Sequence, residues 1–251
     1  MNTAHALAPE ATIVVIGAGR LGRVLARALG TAGFDVRGPI GRDTEIPDAD
    51  VALLCVPDAA IPQAAINARG HASLVGHVSG ATPLDDVDFS IHPLQTFTGT
   101  ESPDIFHSIG AAVAGSTDEA RAVAAQLARA LGARPFAVDD AHRATYHAAA
   151  SFASNFVLAV LDAAAQLASA SGIPQQEARD LLAPLVRRTV DNWDADGAAR
   201  ALTGPIARGD ETTVARQRAA IDEVALHLRG LFDELTSATR AVTARTDEET
   251  L

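Results

Sequence analysis

The sequence predicts an α/β domain followed by an all-helical domain, and three observations lead there. Strand-like and helix-like segments alternate through the first half of the 251 residues. A glycine-rich turn joins the first strand to the first helix, and no strand pattern follows Asp139. Such alternation implies a doubly wound, mostly parallel sheet with helices on both faces. The expected organisation is 1–139 for the α/β domain and 140–251 for the helical one.

Each element follows from its residues. "TIVVIG" is a continuous β-branched apolar run, as a strand buried on both faces requires. "RLGRVLARALGTAG" has helical period and a glycine stop at Gly33. "FDVRG" reads as a second strand ending at Gly38, and "DVALLCV" as a third, with Pro57 and Asp58 leading into a helix at Ala59. "SLVGHVS" is a further strand. "IGAAVAG" and "RPFAV" flank a helix whose start at "STDEA" gives Ser116 and Glu119 capping-box spacing. Helices are then expected over about 141–171, 174–192, 210–228 and 230–244.

Composition narrows the function classes. Hydrophobic residues make up 48% of the chain, enough for a sizeable core, but aromatics only 4%, so Ala, Val and Leu must build it. A formal net charge of −11 argues against a nucleic-acid partner. Every cation is arginine; the absence of lysine excludes Schiff-base chemistry and a lysine acid. The single cysteine, Cys55, lies in an apolar run and reads as core. The scattered histidines suggest no metal site, since His142 and His147 stand five apart. With neither a signal-peptide pattern nor a long uncharged apolar run, a cytoplasmic protein with no membrane partner is expected.

"GAGRLG" carries Gly17, Gly19 and Gly22 at G-x-G-x-x-G spacing between a buried strand and a helix, the context that gives the motif meaning. The first glycine makes the turn, the second admits a pyrophosphate, and the third lets helix and strand pack. Arg20 and Leu21 complete the turn that places free N–H groups toward the phosphates. An NAD site has an acidic residue after the second strand; here Arg37 and Arg42 stand there, near Asp35 and Asp43. Arginine suits a 2′-phosphate, so NADP is expected, NAD remaining open, with Arg42 preferred because it follows a turn. Val56, Pro57, Ser79 and Gly80 come where later strands end and are expected along the nicotinamide.

Two further stretches suggest a reacting centre. "SIHPLQTF" supplies His92, Gln95 and Thr96, with His92 held extended by the proline after it. "YHAAASFASNF" places His147, Ser151 and Asn155 at steps of four within alanine and phenylalanine. A structural polar network explains that seam too. The functional reading makes it one wall of an active site at the domain cleft, with His147 the leading proton donor and His92 its rival. "LTGPIARGD" offers Thr203, Gly204, Pro205 and Arg208 as a turn for a carboxylate, with Asp210 capping the next helix.

In this order, "GAGRLG", "HVSGA", "HPLQTF", "YHAAASFASNF" and "LTGPIARGD" resemble bacterial Rossmann-like proteins with a C-terminal domain of unknown function. Those are distant relatives of pyrroline-5-carboxylate reductase, ketopantoate reductase and the 6-phosphogluconate dehydrogenase superfamily. The resemblance spans nearly the whole chain and implies a Rossmann domain with a helical, often dimerising, second domain. It assigns no substrate; by superfamily analogy the expectation is an NADPH-dependent reductase of a small 2-oxo (ketopantoate-like) or imino carboxylic acid, and the abundant Ala and Leu of the C-terminal helices lead to the expectation of a homodimer. The lysine acid of the usual ketopantoate reductases is missing, so their mechanism does not transfer. The alternatives are an imine reductase of the pyrroline-carboxylate type and a non-catalytic dinucleotide-binding sensor or partner protein.

Overall fold

A computed structural model describes residues 7–8 and 10–249. The backbone divides into two compact units, 1–154 and 155–251.

The first unit is a seven-stranded sheet: β1 (Thr12–Ile16), β2 (Asp35–Ile40), β3 (Ala49–Leu54), β4 (Ala72–His77), β5 (Phe89–Pro93), β6 (Gly110–Gly115) and β7 (Arg134–Ala137). Their spatial order is β2-β1-β3-β4-β5-β6-β7. All neighbours run parallel except β5 and β6, which pair antiparallel with His92 opposite Ala112. Helices α1 (Arg20–Thr31), α2 (Ile61–Ala68) and α3 (Asp118–Ala130) cover the sheet.

The inner strands β1, β3 and β6 are mainly apolar because both faces are covered, whereas the edge strands β2 and β7 are largely or partly exposed. Alternate residues of β1 point opposite ways. Ile13 and Val15 join Val24, Leu29 and Leu127 in one core, while Val14 and Ile16 join Leu54, Ile61 and Ala65 in the other. Three expectations need correction. β2 runs on to Ile40, past Gly38; as an edge strand it accommodates Pro39 without losing a ladder bond. The cap of α3 is Thr117, whose Oγ1 accepts from Ala120 N at 3.1 Å; Ser116 instead donates to Asp88 O. β5 falls in a segment where no strand is expected, because its five residues end in His-Pro and carry too little apolar pattern.

The expected division after residue 139 would separate α4 (Arg143–Ala153) from the sheet, but α4 groups with it. The reason is a buried cation. Arg143 is 4% exposed. Its guanidinium donates to Ser90 Oγ on β5 at 2.6 Å and to the Asp140 carboxylate. The other oxygen of Asp140 accepts from Leu84 N, between β4 and β5, at 3.0 Å. Burial opposes ionisation of Asp140, but Arg143 and Leu84 outweigh it and hold the carboxyl below its ordinary pKa.

The second unit contains α5 (Asn155–Ala170), α6 (Gln175–Ala201), α7 (Glu211–Val224) and α8 (Arg229–Glu249). The single helix expected over 141–171 is interrupted at Ser154, where φ is −132° and ψ −75°. α6 runs past the expected 192 and bends at Gly197. Asp210 caps α7 as expected, accepting from Thr213 N at 3.0 Å. Arg218 and Asp233 join α7 to α8 through paired bonds of 2.7 and 2.9 Å. Large apolar side chains remain exposed, among them Phe156, Leu158, Leu181, Leu185 and Trp193. By length and composition the stretch Asp140–Ala170 is apolar enough to cross a membrane, but it contains the break at Ser154 and the buried Arg143.

Replacing Arg143 with Met should cost about 1–3 kcal/mol, the Asp140 end of the pair being partly hydrated. Denaturant midpoints measure this. Because the folded pKa of Asp140 is depressed, its contribution is full above the unfolded carboxylate range (about pH 4) and disappears as pH falls through the folded value. The difference between wild type and Arg143→Met should therefore shrink in acid and be constant near neutrality.

Candidate functional site

Parallel strands bring their carboxyl ends to one sheet edge. The chain passes from β1 to β2 on one side, then returns to β3 on the other, so the switch point lies between β1 and β3. Ligand crevices of open α/β sheets lie there. Gly17 follows β1 with φ +116°, and a Cβ on it would stand 2.3 Å from Cys55 O, so only glycine fits. A Cβ on Gly22 would meet Gly17 O at 2.0 Å, which identifies it as the close-packing glycine. Gly19 caps α1 with no side-chain hydrogen bond, no acidic residue follows in the first turn, and the space beside it is open. The first N–H groups of α1 thus present an uncompensated positive end.

A cleft of about 440 Å³ opens at this point, lined by Gly17, Gly19, Arg42, Thr44, Val56 and Pro57 among others. Five of the expected cofactor residues therefore share one cleft; Thr44 and the α2 residues Gln63 and Asn67 are additions that no sequence motif marks. Arg37 is occupied by Asp48 O at 2.6 Å and lies 3.7 Å from Asp35. Arg42 is exposed and makes no hydrogen bond or ion pair among the described residues. Burial pushes the Cys55 thiol up to about 12, which makes it an inert wall.

Farther along the same edge, the turn after β4 is fixed by His77, which is fully buried. Its Nδ1 accepts from Ser79 N and its Nε2 faces Pro83 O, both at 3.2 Å, so it is a neutral imidazole donating through Nε2. Burial, the main cause, lowers its pKa. Ser79 Oγ accepts from Ala81 N and Thr82 N at 3.1 and 3.0 Å, so this hydroxyl shapes the turn and keeps only its proton to offer a ligand.

His92, at the end of β5, lies against Gly80. A Cβ on Gly80 would stand 2.9 Å from His92 Cε1 and Nε2 and 3.0 Å from His147 Nδ1. The two imidazoles are 6.0 Å apart between ring centres. His92 Nδ1 is 2.7 Å from the Tyr146 hydroxyl. Desolvation, then the charges of His147 and Arg143, drive the pKa of His92 down to about 4. Tyr146, half-buried, is raised to about 12 by desolvation. The structure therefore brings the two rival histidines together.

The other expected residues are placed differently. Ser151 shares α4 with His147, but Asn155 begins α5, so the three do not form one helical face: the chain leaves helical geometry at Ser154. His147 is exposed on α4. Gln95 Oε1 accepts from Thr96 N at 2.9 Å in an exposed loop that continues to Gly99, which packs on the Arg20 backbone at the start of α1. Thr203, Gly204, Pro205 and Arg208 form a turn within the helical unit, with Arg208 N bonded to Gly204 O and Pro205 O. Among the described residues no group of three or more His, Cys, Asp or Glu is arranged to hold a metal ion. Tyr146, Arg143 and His77 are absent from the sequence-derived set, although Tyr146 and His77 open the motifs "YHAAASFASNF" and "HVSGA"; no signal in the sequence marks Arg143.

The sheet, its helical covering and the β1–β3 crevice define a Rossmann-type α/β protein. The chain belongs to the family of a domain of unknown function, DUF2520, whose model matches residues 109–239. No curated protein matches it in sequence. Solved structures resemble it along most of its length. A candidate NADP oxidoreductase from Bacteroides fragilis is 24% identical with a TM-score of 0.78, covering 93% of this chain and 99% of that one. A Thermotoga maritima protein is 22% identical with a TM-score of 0.75, covering 94% and 99%. Plasmodium falciparum pyrroline carboxylate reductase, solved with NADP bound, is 10% identical with a TM-score of 0.58, covering 92% and 98%.

Gly80→Ala should displace the His92 ring, since Tyr146 keeps it from swinging aside, and cost roughly 1–3 kcal/mol as overpacking does. Thermal unfolding and the imidazole NMR resonances of His92 report both effects; unchanged resonances would contradict the close approach.

Proposed function

We propose that the protein is an NADPH-dependent reductase of a small 2-oxo (ketopantoate-like) or imino carboxylic acid. One observation carries this reading: the uncompensated α1 N-terminus and the histidine pair at Gly80 lie on the same sheet edge. Three strand steps separate the ends of β1 and β5, roughly 14 Å, which suits an extended dinucleotide. The fold-level likeness to proteins named as NADP oxidoreductases and pyrroline carboxylate reductases supports it by analogy.

In this reading the backbone of Gly17, Gly19, Arg20, Leu21 and Gly22 holds the pyrophosphate, and Arg42 the 2′-phosphate. Val56, Pro57, Ser79 and Gly80 line the nicotinamide. Bound NADPH supplies hydride. The carbonyl or imine carbon accepts it, the π electrons move to oxygen or nitrogen, and His147 delivers the proton there. Ser151, Gln95 and Thr96 are available to orient the substrate. The assignment of Asn155, and of Thr203, Gly204, Pro205 and Arg208 as a carboxylate clamp, is a separate proposal for the helical unit; Arg208→Ala should raise KM more than it lowers kcat. A homodimer is proposed for the same unit, because Phe156, Leu158, Leu185 and Trp193 are large apolar side chains left exposed on it, which association would bury.

Arg42→Ala should weaken NADPH binding about tenfold or more and leave NADH unaffected, as loss of charge-assisted bonds predicts. Calorimetry measures this, and equal losses for both cofactors would remove Arg42 from the phosphate site. NADPH oxidation with a panel of 2-oxo acids and cyclic imines tests the reaction. His147→Gln should lower kcat by about a hundredfold; normal turnover in that variant with loss in His92→Gln would transfer the acid to His92. Tight NADPH binding with no turnover would favour the sensor. Sedimentation at micromolar concentration should give a dimer; a detergent-dependent monomer would point to a membrane covering the apolar helices.

A further inference from the structure

Tyr146 is unassigned by the motifs, yet it makes the shortest polar contact to His92. Its ring is fixed from two sides, edge-on to His92 with centres 5.5 Å apart and to Phe136 at 5.9 Å. Arg143, three residues earlier on α4, anchors that helix to β5. The 2.7 Å bond between Tyr146 Oη and His92 Nδ1 therefore joins two rings that have little freedom to separate.

The direction of that bond decides what His92 offers. A phenol is a good donor and a weak acceptor, whereas the unprotonated nitrogen of imidazole is a strong acceptor. Whichever ring nitrogen takes the bond sets the role of the other. Nε2 lies beside Gly80, on the sheet edge that holds the crevice, and makes no hydrogen bond among the described residues.

We propose that Tyr146 is a positioning residue: its O–H donates to His92 Nδ1 and fixes the imidazole as the Nε2–H tautomer, a neutral donor to the substrate's carbonyl oxygen or imine nitrogen. The proposal rests on the reductase reading and adds to it a division of labour between the two histidines. His92 keeps its proton throughout and polarises the acceptor bond before hydride arrives. The electron pair released onto oxygen or nitrogen is neutralised by the proton from His147. Donors fixed in advance are effective because they need no reorganisation as charge develops. His92 suits this part because it stays uncharged at neutral pH. Desolvation is the largest cause, reinforced by His147, Arg143 and His77 and opposed by Asp58.

The test begins with nitrogen NMR of histidine-labelled full-length protein and needs no substrate. His92 should show a protonated Nε2 and an unprotonated Nδ1, and remain neutral from pH 8 to about pH 5. Tyr146→Phe keeps the ring contacts but removes the donor, so both tautomers should appear. In that variant kcat with NADPH and any reducible panel substrate should fall roughly tenfold, with the Kd for NADPH within about twofold of wild type, since Tyr146 does not touch the phosphate site. A protonated Nδ1 in wild type overturns the proposal, even if Tyr146→Phe fails to fold. So does a Tyr146→Phe protein with unchanged tautomer and kcat. Failure of wild type to bind NADPH in the same samples would instead overturn the reductase reading, leaving the tautomer result to be judged by itself.

Discussion

The buried contact of Arg143 with Ser90 and Asp140 is the constraint on which the candidate site depends. α4 carries Tyr146 and His147, but few of its side chains are buried, and apolar packing alone would hold it weakly. A guanidinium removed from water must keep its partners, because an unpaired buried charge costs far more than a lost contact. Arg143 therefore fixes the start of α4 on β5, and one helical turn later Tyr146 meets His92. Asp140 extends the constraint to Leu84 and so to the β4–β5 connection. The two histidines face Gly80 because that connection, β5 and α4 are joined at their bases.

The same edge treats its titratable groups unequally. His77 and His92 are kept neutral by burial; His77 has both ring nitrogens committed to backbone groups, whereas His92 has Nδ1 committed to Tyr146. His147 stands exposed beside them. An imidazole shielded from water is a reliable hydrogen-bond donor, whereas one open to water exchanges protons. The cleft next to them has the opposite character: helix N–H groups and Arg42 provide local positive potential in a chain of net charge −11. Overall charge thus says little about this local preference for an anion.

The parallel sheet was legible because its inner strands, buried on both faces, are mainly apolar runs, and the glycine motif announced the crevice by context. What escaped the sequence was set by tertiary contacts. β5 is short and ends in His-Pro, so its pairing with β6 decides its state more than its own pattern. The seam from His147 to Asn155 assumed one continuous helix, but nothing in an alanine-rich run marks the break at Ser154. His92 was identifiable as a chemical group, yet its partner lies 54 residues away on α4, a distance no local motif spans. Arg143 reads in sequence as one more arginine, and only the fold reveals that it is buried.

We propose that a bound dinucleotide extends along the strand ends from Gly17 to Gly80, with its nicotinamide beside His92. Intermolecular NMR contacts in the NADPH complex test this most directly. Magnetisation transfer is expected from the nicotinamide C4 protons to Gly80 Hα and the His92 ring, together with adenosine contacts near Arg42. A bound NADPH whose nicotinamide touches neither Gly80 nor His92 would contradict it.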